Sequence, residues 1–164
     1  MTPGSRWPVA DLLPHGDGAI LIDAVTSCEA DTLTASATVR PGGLYSLPDG
    51  SLPAYAGLEL MAQAIAAWAG WQARQADKPV ELGFLLGTRR YTCSVAAFEP
   101  GLPLVVTATR SLQDDLGMGV FECTLHGHGR LLAEARLNVY QPRDAGAFMQ
   151  ESPPSSAPSD SDAP

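Results

Sequence analysis

The sequence predicts an α+β fold in which a curved antiparallel sheet wraps one long central helix. Three observations predict it. A proline-free stretch at 56–76 is apolar on nearly every face, most of the chain after Pro79 alternates in strand-length segments, and no second stretch is apolar enough to cover those strands. A helix that is apolar all round must be surrounded by protein. An antiparallel sheet with one apolar face must bury it, so each element supplies what the other lacks.

Taken in order, Asp11-Leu12-Leu13-Pro14 reads as a short N-terminal turn, and AILIDAVTSC at 19–28 is rich in aliphatic and β-branched residues and reads as a strand. Glu29-Ala30-Asp31 supplies a polar turn. In TLTASATVR the residues Leu33, Ala35, Ala37 and Val39 share one face, the period of a half-buried strand, so the first two strands form a hairpin. From Pro41 to Pro53 there are too many glycines and prolines for regular structure, and the segment reads as a loop leading into the helix. Beyond the helix, LGFLLGTRRYTCSV, LPLVVTATRSL, GMGVFECTLHG and GRLLAEARLNVYQ read as strands separated by EPG, QDD and a tight His-Gly turn.

With 164 residues and 45% hydrophobic content the chain has one core and no room for two comfortable domains. The folded domain is expected over 1–142. The segment 143–164, dominated by Pro, Ser, Ala and Asp, cannot bury enough apolar surface to offset its ordering entropy and is expected to be a disordered tail. A net charge of −8, to which that tail contributes, excludes a nucleic-acid role that needs a concentrated basic face. Cys28, Cys93 and Cys123 are odd in number and widely spaced, which fits a reducing cytosol better than a disulfide framework. MTPGSRWPVADLLPHGDG has no unbroken apolar run of the kind an export signal carries, so a cytoplasmic location is expected. The stretch GLELMAQAIAAWAGWQA falls short of the roughly 20 apolar residues that span a bilayer.

Glu59 lies in the first turn of the apolar helix, with Gln63 four residues later on the same face. Desolvation there raises a carboxyl pKa while the helix N-terminus favours the anion. Two readings follow from the residues: a proton-transfer group, or a Glu that caps its own helix while Gln63 bonds a loop. His126 and His128 alone are too few for a zinc site and are assigned to an exposed hairpin turn, so no metal is predicted. Ser51 lacks a nucleophile context, and Gly117 and Gly119 precede no phosphate-binding helix. Arg89 and Arg90, adjacent on a strand, are sent to opposite faces, leaving one solvated.

Three segments carry a resemblance. LLPHGDGAILIDAV is similar to the opening of the 3-hydroxyacyl-acyl carrier protein dehydratases of type II fatty-acid synthesis. LPAYAGLELMAQAIAAWAG resembles their central helix, in which a Pro is followed six residues on by the catalytic Glu and then by Met-Ala-Gln. Pro53, Glu59, Met61, Ala62 and Gln63 fall on those positions. LGFLLGTRRYTCSVAAFEPGLPLVV is similar to the family's strand with a Pro-Gly before the next. Together they span about 9–142, and the wording GLELMAQ and GFLLGTRRY looks closest to the branch associated with aryl-polyene pigment clusters.

The resemblance implies a hotdog fold and elimination of water from a 3-hydroxyacyl thioester carried on the phosphopantetheine of an acyl carrier protein, with no other cofactor. Glu59 is then the acid. The family's base, a His fourteen residues before the Glu, falls here on Tyr45, and no histidine lies between His15 and His126. An ordinary phenol, with a pKa near 10, is a poor base at neutral pH. His15 in the Leu-Pro-His segment that borders the family's acyl tunnel is one substitute base, or it only lines the tunnel. Asp49 is another candidate, though its neighbours Pro48 and Gly50 suit a turn.

Pro14, Tyr45, Pro53 and Gln63 are implied to line or support the tunnel, and Arg89, Arg90 and Arg74 to contact the acidic carrier protein. A homodimer, or a heterodimer with another dehydratase-like subunit, is implied as well. Two other functions remain open: a non-catalytic dehydratase-like subunit that binds acyl chains and pairs with an active partner, and a hotdog acyl thioesterase.

Overall fold

The computed structural model describes residues 6–81 and 83–142. The expected tail at 143–164 lies outside the described residues. Elements follow in the order β1 (Ala24–Cys28), β2 (Thr32–Thr38), β3 (Leu52–Pro53), α1 (Ala56–Gln75), β4 (Phe84–Cys93), β5 (Ala97–Phe98), β6 (Pro103–Gln113), β7 (Met118–Gly127) and β8 (Arg130–Tyr140), after 3-10 turns at Val9–Asp11 and Asp17–Ala19. Six strands form one antiparallel sheet in the order β1-β2-β6-β7-β8-β4, while β3 and β5 pair separately. This is the hotdog arrangement, a sheet curved around one helix.

Alternation places Leu33, Ala35 and Ala37 of β2 inward, and in register with them Leu104, Val106 and Ala108 of β6. Their partners on α1 include Leu60, Met61, Ala64 and Ile65, all buried. Burying large aliphatic side chains of this kind contributes roughly 1.5–3 kcal/mol each, and here that burial fixes the helix across the sheet. Trp68 continues the packing edge-to-face on Phe121 and donates its indole N–H to Ala30 O at 3.2 Å. On the outer face, Thr32 and Thr34 meet Thr109 and Thr107 through hydroxyl contacts of 3.3 Å. Among the described residues, no helix is long and apolar enough to cross a membrane.

Three sequence expectations need correction, the first being that the loop expected at 41–53 ends in the two-residue strand β3. The strand expected at 19–28 is shortened to Ala24–Cys28, because the amides of Leu21 and Ile22 bond the Gln63 side chain instead of a neighbouring strand. Arg89 and Arg90 are both exposed rather than split between faces, because the β4–β8 register slips between Thr88 and Arg90 and an added residue breaks the alternation. The His-Gly turn holds for His128, whereas His126, also assigned to it, lies in β7 and is partly buried. His128 and Gly129 have φ of 51° and 72°, the paired positive values of the two-residue hairpin turn that matches strand twist.

Gly70 decides how the N-terminal turn meets the helix. A Cβ there would collide with the backbone carbonyl of Leu12, itself fully buried. The close approach seats the 9–15 segment on α1 and carries His15 toward the far end of the helix.

Candidate active site

Glu59 stands in the first turn of α1, where among the described residues no side chain caps the helix end. The capping reading of Glu59 is therefore not the one the geometry supports. The Glu59 side chain instead borders a cavity of about 260 Å³ together with Pro14 and His15. Ala62, Ile65 and Ala66 form its helix wall, and Phe84, Phe121 and Val139 form its sheet wall. The cavity is mostly apolar, with the Glu59–His15 pair on its border and Glu81, Gln113 and Gln141 lining it as well.

Gln63 organises the Glu59 side of that pair. Fully buried, it accepts the N–H groups of Leu21 at 2.7 Å and Ile22 at 3.4 Å on Oε1, and donates through Nε2 to Ala19 O at 2.8 Å and to Glu59 Oε1 at 3.0 Å. The two accepted backbone N–H groups fix which end of the amide faces Glu59. His15 Nε2 approaches the same Glu59 Oε1 at 3.6 Å, with both side chains about three-tenths exposed, at 29% and 30%. Among the described residues, the buried Nδ1 of His15 has no hydrogen-bond partner. An imidazole and a carboxylate so placed can exchange a proton with each other and with a group held in the cavity.

Tyr45 is half-buried and stacks edge-to-face on Tyr55 at 6.5 Å between centroids. Its phenol is pushed above its ordinary value, first by desolvation, then by the Glu59 charge and by Tyr55. It borders a second, smaller cavity of about 150 Å³ with Leu21, Leu60 and Leu104. Pro53 is buried in β3 against Ala97. Asp49 is a turn residue: its carboxylate accepts from Ser51 N at 2.9 Å and Ser51 Oγ at 2.6 Å, and those bonds, the hydroxyl's first, hold it below its ordinary pKa.

The three arginines lie elsewhere. Arg89 and Arg90 flank a polar depression with Glu122, Glu134 and Arg136, while Arg74, in the last turn of α1, donates Nε and Nη2 to Asp11 O at 3.2 Å. None of them is among the described residues that line the Glu59 cavity. Sequence reading missed the cavity wall. Ala62, Ile65, Ala66 and Ala69 do recur at helical spacing, but on a helix apolar all round that stripe is not distinguishable from core.

One helix in a six-stranded antiparallel sheet, with a carboxylate at its first turn opening on a mostly apolar cavity, defines a protein of the hotdog class. Within that class the chain belongs to the ApeP-like family, described as ApeP dehydratase, which matches residues 7–150. This is the dehydratase branch to which the three sequence segments pointed. Among solved structures, the dehydratase heterocomplex ApeI:P from Xenorhabdus doucetiae has a chain 32% identical, covering 91% of this chain and 100% of its own, with a TM-score of 0.82. The PaaI protein of the E. coli phenylacetic acid degradation operon is 14% identical over 71% of this chain and 80% of its own, with a TM-score of 0.56. A hypothetical thioesterase with coenzyme A from Streptococcus pneumoniae TIGR4 is 11% identical over 71% and 83%, with a TM-score of 0.55. These last two share the fold alone. Among curated proteins, none matches the chain.

Proposed function

We propose that this dehydratase-family chain eliminates water from a 3-hydroxyacyl thioester carried on an acyl carrier protein, with Glu59 as acid and His15 as base. The observation that carries the reading is the 3.6 Å approach of His15 Nε2 to Glu59 Oε1 on the border of a mostly apolar cavity. His15 takes the proton α to the thioester carbonyl. The electron pair left behind forms the α–β double bond as the β-hydroxyl departs, and Glu59 supplies the proton that makes it water. His15 then holds one proton too many and Glu59 one too few, and their proximity returns the pair to its starting state. Tyr45, whose phenol is held neutral, serves as a hydrogen-bond donor rather than as a base. The acyl chain extends along Ala62 and Ala66 toward Phe121.

A second reading has one observation in its favour. The 32% identical relative is part of a heterocomplex, and β4, at one end of the sheet order, leaves Leu85 and Leu86 exposed. In that reading the chain pairs through β4 with a second dehydratase-like subunit that supplies the base.

The test incubates purified chain with a 3-hydroxyacyl carrier protein and follows loss of one water by mass spectrometry. Wild type is expected to give the enoyl product, and Glu59→Gln and His15→Ala to abolish it. Full activity of His15→Ala would sink His15 as base. Release of free acid would select thioesterase chemistry, and turnover only after a partner subunit is added would select the second reading.

A further inference from the structure

The helix that presents Glu59 begins without a side-chain cap, so something else must fix its first turn. The Ala54 carbonyl, just ahead of it, accepts the Gly57 N–H at 3.1 Å and also the hydroxyl of Tyr91, which reaches in from β4. The Ala54 N–H in turn donates to Ala96 O at 3.0 Å, continuing the short β3–β5 ladder. The chain entering α1 is thus fastened on two sides to the 91–98 stretch.

Gly57 completes the arrangement. A Cβ at position 57 would fall on the Tyr91 hydroxyl oxygen, 3.4 Å from its ring Cζ and 3.5 Å from Cζ of Phe98. The phenol occupies the space that a side chain would fill, two residues ahead of Glu59. Burial first, then the Cys93 thiol, pushes the Tyr91 phenol well above its ordinary range. It remains a donor throughout the working pH range.

We infer that Tyr91 is a positioning residue, whose hydroxyl sets the first turn of α1 and through it the placement of the Glu59 carboxylate against His15. The inference rests on the reading of Glu59 as the acid. A reacting group misplaced by about 1 Å loses on the order of a hundredfold in rate. Tyr91 belongs to the end strand of the sheet order, so it also links that edge to the site.

The test compares wild type, Tyr91→Phe, Gly57→Ala and the double variant, as full chains with whatever subunit supports turnover. Tyr91→Phe is expected to lower kcat by about tenfold to a hundredfold with KM within about twofold, and to shift the Glu59 carboxyl carbon resonance in protein labelled at glutamate. That resonance is assigned by its loss in Glu59→Gln. Gly57→Ala alone is expected to be more damaging than Gly57→Ala with Tyr91→Phe, because removing the hydroxyl relieves the collision. Wild-type kcat and an unmoved Glu59 resonance in Tyr91→Phe would overturn the inference. So would kcat, KM and melting temperature worsening together with no relief in the double variant. Absence of dehydration in wild type overturns the proposed activity instead, and the resonance then still decides for or against Tyr91.

Discussion

Replacing Gln63 by Leu keeps the volume of a fully buried residue and removes four hydrogen bonds. The Glu59 carboxylate, at three-tenths exposure, can turn to water. The N–H groups of Leu21 and Ile22 and the Ala19 carbonyl have less access to it. An orphaned buried polar group costs about 1–3 kcal/mol, and partial exposure of the 19–22 segment puts the sum near 2–4 kcal/mol, a large part of the ~5–15 kcal/mol by which domains are stable. Urea denaturation with an unchanged slope measures it. Gln63→Glu sharpens the test. Its new carboxylate faces the Ala19 carbonyl and Glu59 Oε1, so its folded pKa lies above the unfolded value of about 4.3. The pH-dependent part of the penalty relative to wild type is then absent below that value and grows by about 1.4 kcal/mol per pH unit as pH rises toward the folded pKa. A Gln63→Leu loss under about 1 kcal/mol, or a Gln63→Glu penalty independent of pH, would show that the amide does not hold this segment.

Cys123 gives an alkaline signature. Burial first, then the Glu122 charge, pushes its thiol from 9.0 to about 12, so the unfolded chain loses that proton first. Stability present below pH 9 is lost by about 1 kcal/mol per unit above it. Cys123→Ala removes that share and leaves the part from Cys28, raised to about 11 by burial and then by Glu29, and thermal melts of both proteins from pH 8 to pH 10.5 read the difference. Gly70→Ala places a methyl against the Leu12 backbone, with the carbonyl carbon at 2.9 Å and Cα at 3.0 Å. Backbone on both sides cannot turn aside, so a loss of about 1–3 kcal/mol is expected, and a melting temperature equal to wild type would contradict the close approach.

What the sequence discloses here is what acts locally. The alternation of Leu33, Ala35 and Ala37 and the unbroken apolar helix are written in neighbouring residues, and both elements fold where their periods place them. The end of the first strand is different, because the residue that takes the Leu21 amide is Gln63, 42 positions on. No local pattern announces such a partner. The approach of His15 to Glu59 depends on Gly70 admitting the Leu12 carbonyl, and a glycine inside a helical pattern reads from sequence only as a weak point. The slip at Thr88 to Arg90 is likewise set by pairing with β8. Glu59 was legible through its company of Pro53 and Gln63, whereas its neighbour across the cavity mouth was legible only as one of two histidine roles.

The proposed pairing through β4 and the inferred role of Tyr91 bear on each other. A sheet edge that exposes adjacent leucines, as β4 does at Leu85 and Leu86, invites pairing unless something covers it. A subunit seated on that edge would restrict the strand from which Tyr91 reaches Ala54. Restricting the strand also narrows the positions open to the first turn of α1. Pairing and placement of Glu59 would then be thermodynamically linked. A partner that binds the ordered edge more tightly than the loose one shifts the population toward the ordered site by that difference in affinity, and an acyl ligand that favours the ordered site strengthens pairing by the same factor. On this reasoning a dehydratase chain that carries both Glu59 and His15 can still depend on its partner for rate, without taking a catalytic group from it.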